Sequence, residues 1–325
     1  MTTLITGGAG FVGLNIAEKL LASGQDVVMF DRSPQPTSLG LELDGLPGRL
    51  AWLTGSVTDM PSIVIAIKTH HVTHVVHGAA ITAGITREAT QASDIAAVNL
   101  LGTINVLEAS VRCEIPRVVQ LGTGSVYGPT VKREGLLDEE RDLPKPESLY
   151  GITKYAAELT ALRYRTTRNL NITVARLGVV FGRYEYDTGV RDTLSAPLTL
   201  ARMAQDGEHA KVFDGLPDDW VYASDVATAI HQLLQHSRTP SPVYHVSTGG
   251  AWSIQDWCER LKAAYPGFTY ELVKQQDQAN VGKLTPSKRP PFSIERITRD
   301  IGYRPAYLAE QAFEDYHRWH RLLAK

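Results

Sequence analysis

Short apolar blocks recur along the first half of the chain, each followed by a stretch of helical periodicity. Val27-Val28-Met29-Phe30 runs without a polar interruption, the mark of a parallel strand covered on both faces. Residues 3–6, 51–55, 74–80, 117–123 and 172–177 read as further strands. Between them, apolar positions three and four apart predict helices over 12–22, 61–69, 93–112 and 149–168. Ser23-Gly24 closes the first helix, and Pro61 suits the first turn of the second. Strands alternating with helices predict an α/β fold with a doubly wound parallel sheet and right-handed crossovers.

The rhythm loosens after Gly178. Residues 183–220 are rich in Gly, Asp, Pro and Arg and read as irregular. A strand-helix rhythm returns over 221–234, a strand is expected at 243–246, and 251–325 mix helices with loops. The pattern predicts a main domain from 1–178 plus about 221–248. A smaller C-terminal substrate-binding lobe, from 179–220 and 249–325, should lie over the carboxyl ends of the strands, where open α/β sheets bind ligands.

Composition narrows the function classes. The 325 residues are 43% hydrophobic, enough for a large core. A net charge of −2 and a pI of about 6.6 argue against nucleic acid as a partner. Cys113 and Cys258 are the only cysteines and form no C-x-x-C, which excludes a disulfide scaffold and a cysteine zinc site; no metal is expected. The first strand starts near Thr3, leaving no signal peptide, and no apolar run of about 18 residues is apparent. A cytoplasmic location without membrane contact is the expectation.

Two segments carry the chemistry. Thr6-Gly7-Gly8-Ala9-Gly10-Phe11-Val12-Gly13 places glycines three apart, after a strand and at the start of a helix. Such a turn cradles a pyrophosphate against free helix N–H groups and predicts a Rossmann-type dinucleotide site. An ordinary glycine-rich turn would look the same. Asp31, ending the second strand, can accept bonds from ribose hydroxyls and would repel a 2′-phosphate, favouring NAD over NADP; Arg32 pulls the other way. Asp59 can reach the adenine amino group or be a solvated turn carboxylate. Tyr150 and Lys154 are four apart and share a helix face. A free phenol titrates near ~10, so it needs a neighbouring cation to act as a base at neutral pH.

Several motifs, in order, resemble the extended branch of the short-chain dehydrogenase/reductase superfamily, the NAD-dependent epimerase/dehydratase family. They are TGGAGFVG at 6–13, FD at 30–31, HGAA at 77–80, VNLLGTINVLEA at 98–109, GTGSVYG at 122–128, YGITK at 150–154, RLGVVFG at 176–182, WVYASDVATAI at 220–230 and IGYRP at 301–305. The resemblance implies that Tyr150 is the acid/base, Lys154 its activator and a holder of the nicotinamide ribose, and Thr123 the partner of the reacting oxygen, with Ser125 as substitute. It implies that His77, Ala79 and Ala80 line the cofactor and that Asn99 supports the site; a core histidine and a helix-stabilising asparagine are the plain alternatives. It also implies a homodimer pairing through the helices near 93–112 and 149–168.

Departures from the family pattern bear on the substrate. Thr123 is followed by Gly124-Ser125, not the Asp-Glu of the sugar-nucleotide dehydratases, so 4,6-dehydration is not expected. Cys113 looks structural, not the cysteine of an epimerase-reductase. At positions that often hold a diphosphate stand Val179, Asp218 and Phe292, with Arg289 retained. These changes favour a dehydrogenase of a non-nucleotide sugar, sugar acid or polyol, with Arg183, Arg191 and Arg202 as candidates for a substrate carboxylate and the loop 183–195 as a lid. The alternatives are a UDP-sugar 4-epimerase with tightly held NAD, and a non-catalytic NAD-binding sensor.

Overall fold

The computed structural model describes residues 1–36, 43–128, 135–192, 194–216, 219–282 and 289–323. In chain order the first half contains β1 (Thr2–Thr6), α1 (Phe11–Ala22), β2 (Asp26–Asp31), β3 (Leu50–Thr54), α2 (Met60–Thr69), β4 (His74–His77), α3 (Ile85–Thr90), α4 (Ala92–Ala96), α5 (Gly102–Arg112) and β5 (Arg117–Thr123). It continues with α6 (Leu149–Thr167), β6 (Ile172–Leu177), β7 (Val179–Phe181), α7 (Ala196–Asp206), β8 (His209–Phe213), β9 (Trp220–Tyr222), α8 (Ala223–Gln235) and β10 (Val243–Val246). The remainder holds α9 (Ile254–Ala264), β11 (Thr269–Val273), α10 (Glu295–Ile301) and α11 (Ala309–Leu323).

Seven parallel strands form one sheet in the order β10-β6-β5-β4-β1-β2-β3. The order reverses between β1 and β4, and the crevice at such a switch point is where doubly wound sheets take ligands. The inner strands are almost wholly buried, as continuous apolar runs require: β6 is buried at all six positions, while the edge strand β3 is only partly covered. One core layer, with Val106, Leu107 and Ala161, fills the α2–α5–α6 side. The other runs from Leu14 and Leu20 on α1 through α8 into the aromatic interior of the C-terminal part, where Phe181 packs edge-on against Trp220, Trp252 and Trp257.

Three expectations change. The helix expected at 93–112 is α4 and α5 joined by a π-turn over Ala97–Leu101. Asn99 lies in that turn, and its amide clamps the Ile81 backbone, which a widened turn allows. Second, Ala92–Arg112 as a unit is, by length and composition, long and apolar enough to span a bilayer, contrary to the reading of the sequence. Here it is a core helix that turns Ile95, Val106 and Leu107 inward. Third, the stretch read as irregular holds α7. Ser195 caps it by accepting from Leu198 N (3.2 Å), Pro197 sits in the first turn, and Gly207 ends it in the left-handed region.

Candidate active site

The glycine turn lies against the exit of β4. Gly7 donates to Phe30 O (3.0 Å) and has φ +72; a Cβ there would come within 2.7 Å of Ala79 N. Only glycine meets both conditions. Gly10 precedes α1 without a side-chain cap, so the N–H groups of Phe11, Val12 and Gly13 face the crevice end of the helix. Asp31 accepts from Ala9 N (3.1 Å) and Ser33 N (2.9 Å), which fixes its carboxylate on the wall of the cleft. Gly7, Gly10, Asp31, Arg32, Ala79 and Ala80 line that cleft together. Asp59 does not: it is exposed at the start of α2, and Ser56 and Val57 take the wall position instead. The cradle fits a dinucleotide.

His77 is a satisfied core histidine. Thr103 donates to Asn99 O (2.7 Å), so its oxygen accepts from His77 Nε2 (2.9 Å). Nδ1 then accepts from the Thr6 hydroxyl (2.7 Å). Burial and the nearby Lys154 charge push its pKa down to about 3. His77 therefore shapes the switch point from beneath and is not among the cleft-lining residues. Asn99 is fully buried and also reaches Thr153 Oγ1 (3.2 Å), tying the β4 exit to α6.

Ser148 caps α6 by accepting from Gly151 N (3.1 Å), and this places Tyr150 in the first turn and Lys154 one turn deeper. Thr123 ends β5; its hydroxyl accepts from Ser125 N (3.2 Å) and donates to Ser125 Oγ (3.3 Å). Burial raises the Tyr150 phenol, while hydrogen bonding from Thr123 and Thr82 and the charge of Arg191 act against it. Lys154 Nζ donates to Leu121 O (2.8 Å), and burial lowers its pKa to about 8, with Glu158 opposing. Arg191 thus adds its positive charge to the phenol's surroundings, a contribution the helix spacing did not signal. Thr82 was not foreseen; it meets Tyr150 only because the chain crosses there, and no spacing signals it.

The three candidate substrate arginines part company. Arg183 pairs with Glu18 (2.7 Å) and Asp315 (3.3 Å), bracing α1 and α11, and does not line the cleft. Arg191 lies over the Phe11 ring (5.1 Å), pairs with Glu185 (2.9 Å) and bridges to Thr82 beside Tyr150. Arg202 is exposed on α7. The loop carrying Arg191 crosses the cofactor cleft: Tyr186, Thr188 and Val190 line it opposite Asp31. Tyr186 donates to Ala9 O (2.6 Å), and Asp192 accepts from Gly84 N (2.7 Å) and Arg87 Nε (2.6 Å).

Beside Thr123, a Cβ on Gly124 would lie 2.8 Å from Arg289 Cζ and equally close to the Phe292 ring. Arg289 Nη1 donates to Asp219 Oδ2 (2.8 Å), and the Asp219 carboxylate also accepts from Ser247 Oγ and Phe292 N. Burial pushes the Asp219 carboxyl up, and Arg289 opposes this. Val179 forms strand β7 with an apolar side chain, and Phe292 is fully buried; Asp218 lies outside the described residues.

A model of the NAD dependent epimerase/dehydratase family matches residues 3–247. The chain belongs to that family. Among curated relatives, a dTDP-glucose 4,6-dehydratase of Streptomyces niveus is 26% identical, covering 99% of this chain and 93% of its own. A dTDP-L-rhamnose 4-epimerase of Burkholderia thailandensis is 25% identical, with 97% and 94% covered. The solved UDP-glucose 4-epimerase of Thermus thermophilus, in complex with NAD, superposes with a TM-score of 0.79 at 25% identity over 99% of both chains. The family enzymes are NAD-dependent, and NAD supplies the hydride acceptor and donor when bound. The protein is an oxidoreductase whose own residues bring two threonine hydroxyls to the Tyr150 phenol, with the buried Lys154 ammonium one turn deeper on the same helix.

Proposed function

We propose that the protein is an NAD-dependent 4-epimerase of a nucleotide sugar, such as a UDP-sugar, that keeps its NAD through the catalytic cycle. The loop across the cofactor cleft carries this reading. Latched by Tyr186 and Asp192 to opposite walls, it favours a retained cofactor over one exchanged at each turnover. Gly124 and Ser125 supply no carboxylate beside Thr123, which speaks against dehydration. The relatives' nucleotide-sugar substrates favour that class over the free sugar or polyol expected from the sequence.

In this reaction Tyr150 takes the proton of the sugar hydroxyl while Thr123 and Thr82 hold its oxygen. The hydride of that carbon is taken up by bound NAD and supplied again on the other face once the keto sugar has turned over, and the phenol returns the proton to the oxygen. Arg191 favours the phenolate, and Lys154, anchored on Leu121 O, holds the ribose side. Exposed Leu101, Ile152 and Leu159 on the π-turn and α6 support pairing of two copies across these helices. The test is to denature purified protein and assay released NAD, then follow UDP-glucose by NMR. Stoichiometric NAD with UDP-galactose appearing is expected. Loosely held NAD and steady NADH from a free sugar acid would overturn the reading.

A further inference from the structure

Three separate pieces of chain must be held together for this site to work: the Thr123–Ser125 turn, the helix α6 with Tyr150 and Lys154, and the segment that brings Arg289 to Gly124. Each leads to one buried hydroxyl. Tyr127 lies four residues after Thr123 in the same turn and is fully buried.

The hydrogen bonds around it have one consistent direction. A guanidinium only donates, so the Tyr127 oxygen accepts from Arg176 Nη1 (2.6 Å). Arg176 also donates through Nε to Glu158 Oε2 (2.9 Å) and through Nη2 to Glu158 Oε1 (2.5 Å), and Glu158 lies one turn beyond Lys154 on α6. On the other side, the Ser293 carbonyl only accepts, so His245 Nδ1 carries the proton and donates to it (3.2 Å). His245 Nε2 is then the acceptor for the Tyr127 hydroxyl proton (2.7 Å). The His245 ring stacks on Phe292 at 4.0 Å, and its backbone N–H donates to Glu139 Oε1 (2.8 Å). Ser293 and Pro291 pair with Leu137, so the strip after Arg289 is fixed at both ends.

We infer that the Tyr127 hydroxyl, held between Arg176 and His245, is a positioning joint that sets the Thr123 turn, the Lys154 helix and the Arg289 strip in register. It touches neither substrate nor cofactor. Removing it leaves Arg176 Nη1 and His245 Nε2 without partners in a buried place, and each piece is then free to shift relative to the others.

Tyr127→Phe keeps the ring and its edge-on contacts with His245 and Phe292 and deletes only the hydroxyl. In the NAD-loaded protein, hydrogen–deuterium exchange by mass spectrometry should rise in the peptides covering 121–127, 154–158 and 289–293 together. A rise confined to 121–127, or none, would overturn the inference. The kinetic arm rests on the epimerase reading: with UDP-glucose as probe, kcat should fall about tenfold as Thr123 and Lys154 lose register, and KM should rise as the Arg289 strip shifts. Unchanged kcat and KM would count against a positioning role. If the unaltered protein does not turn over UDP-glucose, the epimerase reading fails while the exchange arm still decides this one. Should Tyr127→Phe not fold, His245→Phe and His245→Gln carry the test. The first keeps the ring and loses both bonds, the second restores an acceptor for Tyr127. Exchange at 154–158 should rise in the first and return toward normal in the second; equal behaviour would sink the inference.

Discussion

The Arg289 guanidinium fills the space that any side chain on Gly124 would need, and Asp219 holds it there. Gly124→Ala should therefore push Arg289 off Asp219 and leave a buried carboxylate without its cation, a change worth several kcal/mol when no partner replaces it. NAD binding, on the far side of Thr123, should be unaffected, while substrate KM rises at least about tenfold. Isothermal titration with NAD and steady-state kinetics separate the two. A Gly124→Ala enzyme with normal KM would mean that Arg289 moves aside without consequence.

Tyr150→Phe should lower kcat by about 10²–10⁴-fold, the usual contribution of a positioned acid/base. Released NAD per protein should stay the same, since the phenol ring remains. Turnover within a few-fold of the unaltered enzyme would remove Tyr150 from the reaction.

Arg191 lowers the Tyr150 phenol against a burial that raises it. Deleting that positive charge in Arg191→Gln should raise the phenol further. Less phenolate then forms at neutral pH, so kcat should fall severalfold in steady-state kinetics. Unchanged kcat would remove Arg191 from that role.

What could be read in advance follows from how local each signal is. Strands β1 and β2 and the start of α6 are set by runs and spacings of a few residues; Gly7 follows β1, Asp31 ends β2, and Tyr150 and Lys154 fall in the first turns of α6. Helix α7 had the same kind of signals in Ser195, Pro197 and Gly207, but the Gly- and Asp-rich stretch before it masked them. Arg183 looked free because its partners, Glu18 and Asp315, come from opposite ends of the chain. Thr82 beside Tyr150, Asp219 beneath Arg289, and His245 on Tyr127 are likewise products of topology, and no periodicity records them.

Asp31 accepts two backbone N–H bonds and faces the ribose side of the cleft, with exposed Arg32 next to it. Asp31→Ala should weaken NAD by about 10- to 100-fold, as expected for loss of charged hydrogen bonds. It should weaken NADP less, since the repulsion of a 2′-phosphate goes with the carboxylate and Arg32 remains. Comparison of the two cofactors by titration checks this; equal losses would remove the discriminating role.

His77 should make the fold sensitive to acid. Its folded pKa is about 3, against an ordinary value near ~6.5 in the unfolded chain. Between these values the unfolded state binds the proton and the folded state does not, so stability is full above about 6.5 and is lost as pH falls. The loss is about 1.4 kcal/mol per pH unit for one such group. Burial also holds His245 well below its ordinary value, while half-exposed His74, at about 4, adds less. His77→Gln should lower stability at every pH, because Thr6 and Thr103 lose a buried partner, yet it should flatten the slope by about one proton. Urea unfolding at pH 7.5 and 5.5 gives the answer: the stability difference between the two should shrink in the variant by about 1.4 kcal/mol. An unchanged difference would mean that His77 takes up a proton in the folded protein as readily as in the unfolded chain.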